Sequence, residues 1–343
     1  VVPGPDAFWL EALVRLPAGR PSVRIGAGYS NVVLAALRAG LQRWAPKDFV
    51  MHVGGRPIVS GVFAVAKAGT KETRMISAAV PASEQLNMKL VPKPVFPNMV
   101  QFAVSKARCG ARLAVSKRDV RHCYHMIKST RAWQRMLAHP PPSDGRVRRS
   151  LDKVRHFLVH CSWPMGFGPS ATIAQGIADV CVDRSGAPAG WRVRGRDLPP
   201  MELPVFGSMM DDIWGSDEVP LEGTSAGNLK ASDIVERVAA EWPKIGLEEH
   251  PDKTHVEVFG EEVQGLFVHP TDGWIGVSVA KRAKLWAATM RVVSFPRPSL
   301  RSIERIVGKA WLLRWEHVFV EWDLGDEVVD MLVDELFVDE GSG

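Results

Sequence analysis

The order of apolar and polar positions predicts strands and helices that alternate along most of the chain. Residues 60–67 (SGVFAVAK) alternate with a period of two, which predicts a strand, and residues 74–80 are expected to return beside it. Residues 112–120 read as a strand that ends in an acid, and residues 205–213 as a strand pair interrupted by a doubled acid. These segments predict antiparallel sheet.

Helical spacing of apolar residues marks the other segments. It predicts helices over residues 31–43, after Pro169 and over residues 231–242. Two further apolar stripes, at 285–293 and 303–310, make the last third helical. The predicted fold class is therefore α+β.

Charge is distributed unevenly around the net value of +5. Beyond residue 320 there are nine acidic residues and no Lys or Arg, so the first 320 residues hold 43 basic and 29 acidic residues, a net charge of +14. A basic body favours a polyanionic partner, because Lys and Arg neutralise phosphates. Charge alone does not separate nucleic-acid binding from the ordinary basicity of many soluble proteins.

Cysteine usage and hydropathy exclude several classes of protein. Cys109, Cys123, Cys161 and Cys181 form no C-x-x-C pair, so buried reduced thiols are expected rather than a zinc site or a disulfide framework. No apolar run reaches membrane-spanning length and no secretory signal is visible, so an intracellular location, cytoplasmic or nuclear, is expected without a membrane partner. The first residue is Val1 rather than Met, as expected for a segment of a longer polypeptide.

Three acids are candidates for catalysis. Asp119 ends an apolar strand (LAVSKRD), and Asp211 and Asp212 lie between apolar residues in MMDDIWG. If these strands are neighbours, the carboxylates converge and repel each other unless a divalent cation neutralises them. Two Mg²⁺ ions, with Mn²⁺ as the alternative, could then activate a 3′-hydroxyl and stabilise a leaving pyrophosphate. Taken alone, the doubled acid fits a solvated hairpin turn better than a catalytic site.

The motifs around these acids resemble, in order and spacing, the polymerase domain of reverse transcriptases from retroviruses and LTR-type retrotransposons. MMDD looks like the YMDD box with Met209 in place of Tyr, SKRDVRHCY resembles the first catalytic box, and residues 164–175 (PMGFGPSATIAQ) are similar to P-Q-G-x-x-x-S-P-x-x-F-Q. FAVAKAGTKETR resembles the fingers hairpin. ASEQLN, at 82–87, resembles D-x-R-x-L-N without its acidic and basic positions.

Three later motifs extend the resemblance to roughly residues 60–315. GLEEHPDKTH looks like the family's GL-x-x-x-K, VQGLFVHP at 263–270 resembles the primer grip, and RSIERIVGKAW resembles the thumb helix. The resemblance implies a right-hand polymerase with fingers, a palm built on an antiparallel sheet, and a helical thumb. The corresponding ranges would be 1–105 for an N-terminal extension and fingers, 106–270 for the palm with a fingers segment at about 125–163, and 271–343 for the thumb and acidic tail.

The resemblance also implies roles for the charged residues. Asp119, Asp211 and Asp212 would hold two Mg²⁺ ions, with Asp119 and Asp211 as the direct ligands. Lys67 and Arg74 would neutralise the β- and γ-phosphates of an incoming nucleotide. Two solvated charges on a hairpin are the alternative for this basic pair.

Four further residues would shape the nucleotide pocket. Tyr124, five residues after the first acid, would block a sugar 2′-hydroxyl and so select deoxynucleotides. Gly166 would allow close backbone approach to the substrate, and Met165 stands where the family has Gln. Lys253 would protonate or screen the leaving pyrophosphate. A core tyrosine and a solvated lysine are the structural alternatives.

The remaining candidates concern the primer and template. Gly265 and Leu266 would hold the primer end, although a purely structural hairpin fits as well. Lys281, Arg282 and Lys284 would follow the phosphates of the duplex, although a solvated helix face explains them nearly as well.

The implied function is an RNA-directed DNA polymerase from a mobile-element polyprotein. It would add deoxynucleoside triphosphates to a primer paired with an RNA or DNA template. The main alternative is a catalytically decayed relative that only binds nucleic acid, which the departures at Met165 and in ASEQLN favour. An RNA-dependent RNA polymerase also uses a doubled acid, but Tyr124 and the PMGF segment argue against it. The sequence leaves the oligomeric state open.

Overall fold

The structure, a computed structural model, describes residues 29–294 except for 67–72, 88, 98, 100–101, 103–106, 109, 143–153, 196, 198–199, 201, 223–228 and 272–274. The predicted stripe at 303–310, the acidic tail and Lys67 lie outside these residues.

Helices and strands alternate throughout the described residues. The helices are α1 (Tyr29–Arg38), α2 (Val80–Glu84), α3 (Cys123–Met126), α4 (Arg131–Gln134), α5 (Ser170–Ser185), α6 (Lys230–Ala239) and α7 (Val279–Ser294). The strands are β1 (Gln42–Pro46), β2 (His52–Val53), β3 (Arg56–Pro57), β4 (Gly61–Ala66), β5 (Thr73–Ala78), β6 (Ala111–Asp119), β7 (Ala138–His139), β8 (His156–His160), β9 (Val205–Met209), β10 (Asp212–Pro220), β11 (His255–Val258), β12 (Glu262–Val263), β13 (Leu266–Val268) and β14 (Ile275–Gly276).

The central sheet has the order β11-β6-β10-β9, with every neighbouring pair antiparallel. One face packs on a buried cluster that includes Leu113, Val115 and Trp214. The other face, through Ile213, shares a larger core with helices α5 and α6. Since both faces are covered, the apolar strands predicted from the sequence read as nearly continuous apolar runs rather than as clean alternation.

A second sheet, the outer sheet, joins distant parts of the chain in the order β1-β8-β7. Strand β8 pairs antiparallel with β1 on one side and with β7 on the other. Strands β7 and β8, which lie between β6 and α5 in the chain, therefore pair with the N-terminal part of the described chain rather than with the central sheet.

The predicted helix over 31–43 was too long. Helix α1 ends at Arg38, and residues 42–46 form strand β1. Gly40 has φ +69°, its N–H donates to Leu37 O at 3.1 Å, and the N–H of Leu41 donates to Ala36 O at 2.9 Å. This left-handed glycine with its paired hydrogen bonds is the Schellman motif, which ends a helix and turns the chain away.

The other predicted segments agree with the structure to within a few residues. The strands predicted at 60–67 and 74–80 form the β4–β5 hairpin, and the strand predicted at 112–120 is β6. The predicted strand pair is β9–β10, which continues to Pro220. Helices α5, α6 and α7 lie where apolar spacing predicted them, so the α+β class is confirmed.

The described cysteine thiols also agree with expectation. Cys123 and Cys181 are buried, Cys161 is partly buried, and all three are free. Among the described residues, no helix combines the length and the apolar character that a membrane span needs.

Two histidines are completely buried in the outer sheet. The rings of His139 and His160 meet edge to face, with centroids 4.4 Å apart. His139 Nδ1 donates to Ser60 O at 2.8 Å, while Nε2 of His139 and both ring nitrogens of His160 have no hydrogen-bond partner. Burial lowers the pKa of His139 to about 4 and the pKa of His160 well below its usual value, so both rings are neutral at pH 7.

This pair should make the protein sensitive to acid. In the unfolded chain both rings take up protons near pH 6.5, whereas in the folded protein they do so only at lower pH. The free energy of unfolding should therefore fall as the pH drops from about 6.5 towards 4, by up to roughly 1.4 kcal/mol per pH unit for each histidine. Urea unfolding at several pH values measures this slope. His160→Phe keeps the ring contact but cannot titrate, so it should flatten the slope, and an unchanged slope would contradict the assignment.

Candidate active site

The three candidate acids meet at one end of the central sheet. Asp119 is the last residue of β6, and the antiparallel register places it directly opposite Asp212, the first residue of β10. Asp211 lies in the two-residue turn between β9 and β10, and its carbonyl accepts a hydrogen bond from Val120 N at 2.7 Å. Residues directly opposite each other in such a pair have Cβ atoms about 5 Å apart. The structure therefore brings together the acids that the sequence singled out.

A glutamine from helix α5 supports the turn. Met210 has φ +52°, a left-handed conformation that a non-glycine residue adopts only when its surroundings hold it there. Gln175, which is 1% exposed, accepts a hydrogen bond from Met210 N at 3.0 Å and donates to Ser208 O at 3.2 Å. Sequence reasoning missed this role, although Gln175 ends the PMGFGPSATIAQ segment and is a polar residue on a buried helix face.

The electrostatics of the acids disfavour three negative charges. Burial, a hydrogen bond with Asp119 and the charge of Asp211 together raise the pKa of Asp212 to about 8. Burial and the charge of Asp119 also raise the pKa of Asp211. A positive charge placed between these carboxylates would restore their ionised form.

Lys253 supplies one positive charge. It ends a single 3₁₀ turn, and its Nζ donates to Asp119 Oδ2 at 2.6 Å. The backbone holds this arrangement, because His250 N donates to Asp119 O at 2.8 Å. The lysine that sequence reasoning assigned to the pyrophosphate thus lies in direct contact with the first acid.

The site fits a magnesium ion that completes its coordination with substrate. Among the described residues, no three His, Cys, Asp or Glu side chains form a ready metal cage. Mg²⁺ usually takes one or two carboxylates and fills its other positions with water and phosphate oxygens. The opposed pair Asp119 and Asp212, beside a cleft of about 300 Å³ that they line together with Lys253 and Gly265, provides that donor set.

Tyr124 lies beside the acidic turn on helix α3. Its hydroxyl donates to Met210 Sδ at 2.9 Å. Burial, followed by the charge of Asp211, raises the pKa of Tyr124 to about 12, so the hydroxyl stays protonated. The structure therefore places the proposed sugar-selecting residue next to the acids.

Gly166 and Met165 lie against strand β5. The carbonyl of Met165 accepts a hydrogen bond from Ser77 N at 2.8 Å, and Gly166 has φ +92°. A Cβ at position 166 would lie 2.2 Å from Ser77 O, so only glycine fits. Close packing of two backbones explains the glycine here, whether or not a substrate also approaches.

The β4–β5 hairpin brings one predicted phosphate ligand towards the acids. Arg74 is exposed on β5, and its charge acts on Asp211 in the direction that lowers the pKa of that acid. Its predicted partner Lys67 lies outside the described residues.

The predicted primer-binding hairpin is β12–β13, with Gly265 in its turn at φ +98°. Lys281, on helix α7, donates to Gly265 O at 3.2 Å and pairs with Glu262 at 2.7 Å. Leu266 packs against the cluster below the central sheet. Arg282 and Lys284 follow on α7 and are partly buried. Lys281 therefore braces the hairpin in the structure.

No protein-family model matches the sequence, and no curated protein matches it. Solved structures of foamy viral protease-reverse transcriptase do resemble the fold, each at 13% sequence identity. A "dRH" form in complex with double-stranded DNA gives a TM-score of 0.57 and covers 94% of this chain and 50% of that one. A second complex with double-stranded DNA gives 0.55, covering 93% and 60%. A complex with an RNA/DNA hybrid gives 0.54, covering 93% and 38%.

This chain thus spans between 38% and 60% of the length of those proteins. At this level of identity the likeness establishes the fold, which is that of a reverse transcriptase.

Gly166 and Gly176 offer a matched pair of substitutions. Gly166→Ala should lower the free energy of unfolding by roughly 1–3 kcal/mol, because it combines a left-handed backbone with a clash against Ser77 O. Gly176 lies within helix α5 with open space around it, so Gly176→Ala should raise the same quantity by up to about 1 kcal/mol. Urea denaturation of both variants shows whether the two changes in the free energy of unfolding have opposite signs. An equal change in the free energy of unfolding in both variants would show that the contact with β5 does not constrain position 166.

Proposed function

We propose that the chain is an RNA-directed DNA polymerase that adds deoxynucleotides to a primer 3′-end. The observation that carries the proposal is the register that sets Asp119 opposite Asp212, with Asp211 in the adjoining turn, within a reverse-transcriptase fold. Related folds have been solved with double-stranded DNA and with an RNA/DNA hybrid. We infer that this chain takes a similar primer–template duplex.

In this proposal the central sheet forms the palm. The outer sheet and the β4–β5 hairpin form the fingers, to which the segment at about 125–163 returns. Helix α7 begins the thumb. The corresponding ranges are 1–105, 106–270 and 271–343.

The acids would hold two Mg²⁺ ions, which when bound would activate the 3′-hydroxyl and stabilise the leaving pyrophosphate. Basic residues of the chain would contact the phosphates of the nucleotide. Lys253, whose Nζ lies 2.6 Å from Asp119 Oδ2, would donate hydrogen bonds to the leaving group. Arg74 would neutralise triphosphate oxygens together with Lys67.

Sugar selection is assigned to Tyr124. The Tyr124 ring is held by burial and by the hydrogen bond from its hydroxyl to the Met210 sulfur. A ring fixed in this way would exclude a 2′-hydroxyl. Met165 can offer only a polarizable apolar surface where a glutamine would donate a hydrogen bond.

The alternative is a chain that has kept nucleic-acid binding and lost catalysis. The changed ASEQLN segment favours this alternative, because it lacks the acidic and basic positions of the motif it resembles. The intact set of three acids at one sheet end argues for activity.

The first test replaces one acid. Asp211→Asn should lower primer extension by at least about a hundredfold, since it removes charge where the metal ions would bind. Binding of the duplex should change little, because binding depends on basic residues. Asp233→Asn, at an exposed carboxylate on α6, serves as the control. Extension is followed on an RNA template, and wild-type extension by the Asp211→Asn variant would refute the metal assignment. Absence of extension by the wild-type protein would favour the binding-only alternative.

The second test concerns the sugar. Tyr124→Val should raise ribonucleotide incorporation relative to deoxynucleotide incorporation, because it removes the ring. Tyr124→Phe keeps the ring and loses only the contact with Met210, so it should retain most of the discrimination. The ratio of kcat/KM for the two substrates measures the effect. If the Val variant discriminates as well as wild type, Tyr124 is a packing residue.

A further inference from the structure

A closed ring of hydrogen bonds lies behind the acidic turn. Gln175 contacts both Met210 N and Ser208 O, and its Nε2 also donates to Asp179 Oδ1 at 2.9 Å. Arg192 Nη2 donates to the same carboxylate and, at 3.2 Å, to Ser208 Oγ. The ring thus runs from helix α5 through the following connection to strand β9.

Asp179 reinforces the direction in which the amide of Gln175 points, together with the backbone of Met210 and Ser208. An ionised carboxylate only accepts hydrogen bonds, so it must face Nε2, and this leaves Oε1 to accept from Met210 N. A reversed amide would set two acceptors against each other at one end and two donors at the other. The charge of Asp179 therefore adds a strong acceptor to the two backbone partners that orient Gln175.

Arg192 holds that carboxylate in place. Its side chain is 9% exposed and forms an ion pair with Asp179, and Arg194 adds a second positive charge at 3.8 Å. Arg192 is itself fastened to β9, because it forms a parallel bridge with Phe206 and the next residue, Val193, donates to Phe206 O at 2.7 Å. Both ends of the ring are thus attached to the strand that leads into the turn.

We propose that Asp179 and Arg192 are positioning residues for the acidic turn. They act through Gln175, which holds Met210 in its left-handed conformation and so keeps Asp211 at the end of the sheet. Neither residue belongs to the sequence motifs that suggested the site. The effect on catalysis rests on the proposed polymerase function, whereas the effect on the turn does not.

The test is Asp179→Asn, which keeps the shape of the side chain but removes the charge that reinforces the orientation of Gln175. Backbone amide exchange in the segment 205–213 should accelerate by about tenfold or more, because hydrogen bonds to charged groups are the strong ones in the ring. In primer extension, kcat should fall by about tenfold. The KM for deoxynucleotides and the Kd for the duplex should stay within about twofold, since neither residue contacts the acids or Arg74.

Asp183→Asn is the matched control, because Asp183 is exposed one helical turn further along α5. Arg192→Lys is the milder variant: it keeps the charge but cannot reach both Asp179 and Ser208, so its exchange rate and kcat should lie between those of wild type and Asp179→Asn. If Asp179→Asn does not fold, judged by its Tm, the Arg192→Lys result decides.

Wild-type exchange in Asp179→Asn, or in Arg192→Lys where only that variant folds, would overturn the proposal. A kcat equal to that of the Asp183→Asn control would do the same. If the wild-type protein extends no primer, the polymerase function fails, and the exchange measurement still decides whether the ring holds the turn.

Discussion

The antiparallel register between β6 and β10 is the constraint on which the acidic site depends. A shift of one residue would turn either Asp119 or Asp212 to the opposite face of the sheet. Two glycines and a tryptophan fit β10 to its other neighbours: Trp214 lies across from Gly207 of β9, where a Cβ would come within 2.5 Å of the indole, and a Cβ at Gly215 would come within 2.9 Å of Ala231 O in α6. Close packing beside the acids therefore fixes the strand that carries Asp212.

The carboxylates that this register brings together repel one another. Burial and mutual repulsion oppose the ionisation of Asp211 and Asp212, and the contact of Lys253 with Asp119 relieves only part of this. The folded chain thus holds acids that gain from a cation or from any ligand that brings one. Cation binding at these acids requires that the sheet, the turn and Lys253 are already folded. The chemistry of the site therefore depends on a well-ordered backbone.

Local patterns predicted the parts of the site that are local. The strand ending at Asp119, the hairpin with the doubled acid and the helix after Pro169 follow from periodicity and from turn-forming residues. The end of α1 at Gly40 was also readable in principle, because glycine after an apolar stripe is a common helix stop. It was missed because the apolar spacing continues past it into strand β1.

Other features depend on residues far apart in the chain, and no local pattern contains them. The hold of Gln175 on Met210, the contact of Lys253 with Asp119 and the burial of His139 against His160 each join segments that the fold alone brings together. A single sequence can propose that such residues matter. It cannot supply their partners, because a polar residue on a buried face has many partners that would satisfy it equally well.

The conformation of Met210 has a consequence for how this turn is optimised. Glycine or asparagine would adopt its left-handed backbone with less strain, so a turn selected for stability alone would carry one of them. Neither residue has a sulfur to receive the hydroxyl of Tyr124. The strained backbone of Met210 therefore comes with a contact to Tyr124, and the substitutions that would relieve the strain most readily would also remove that contact.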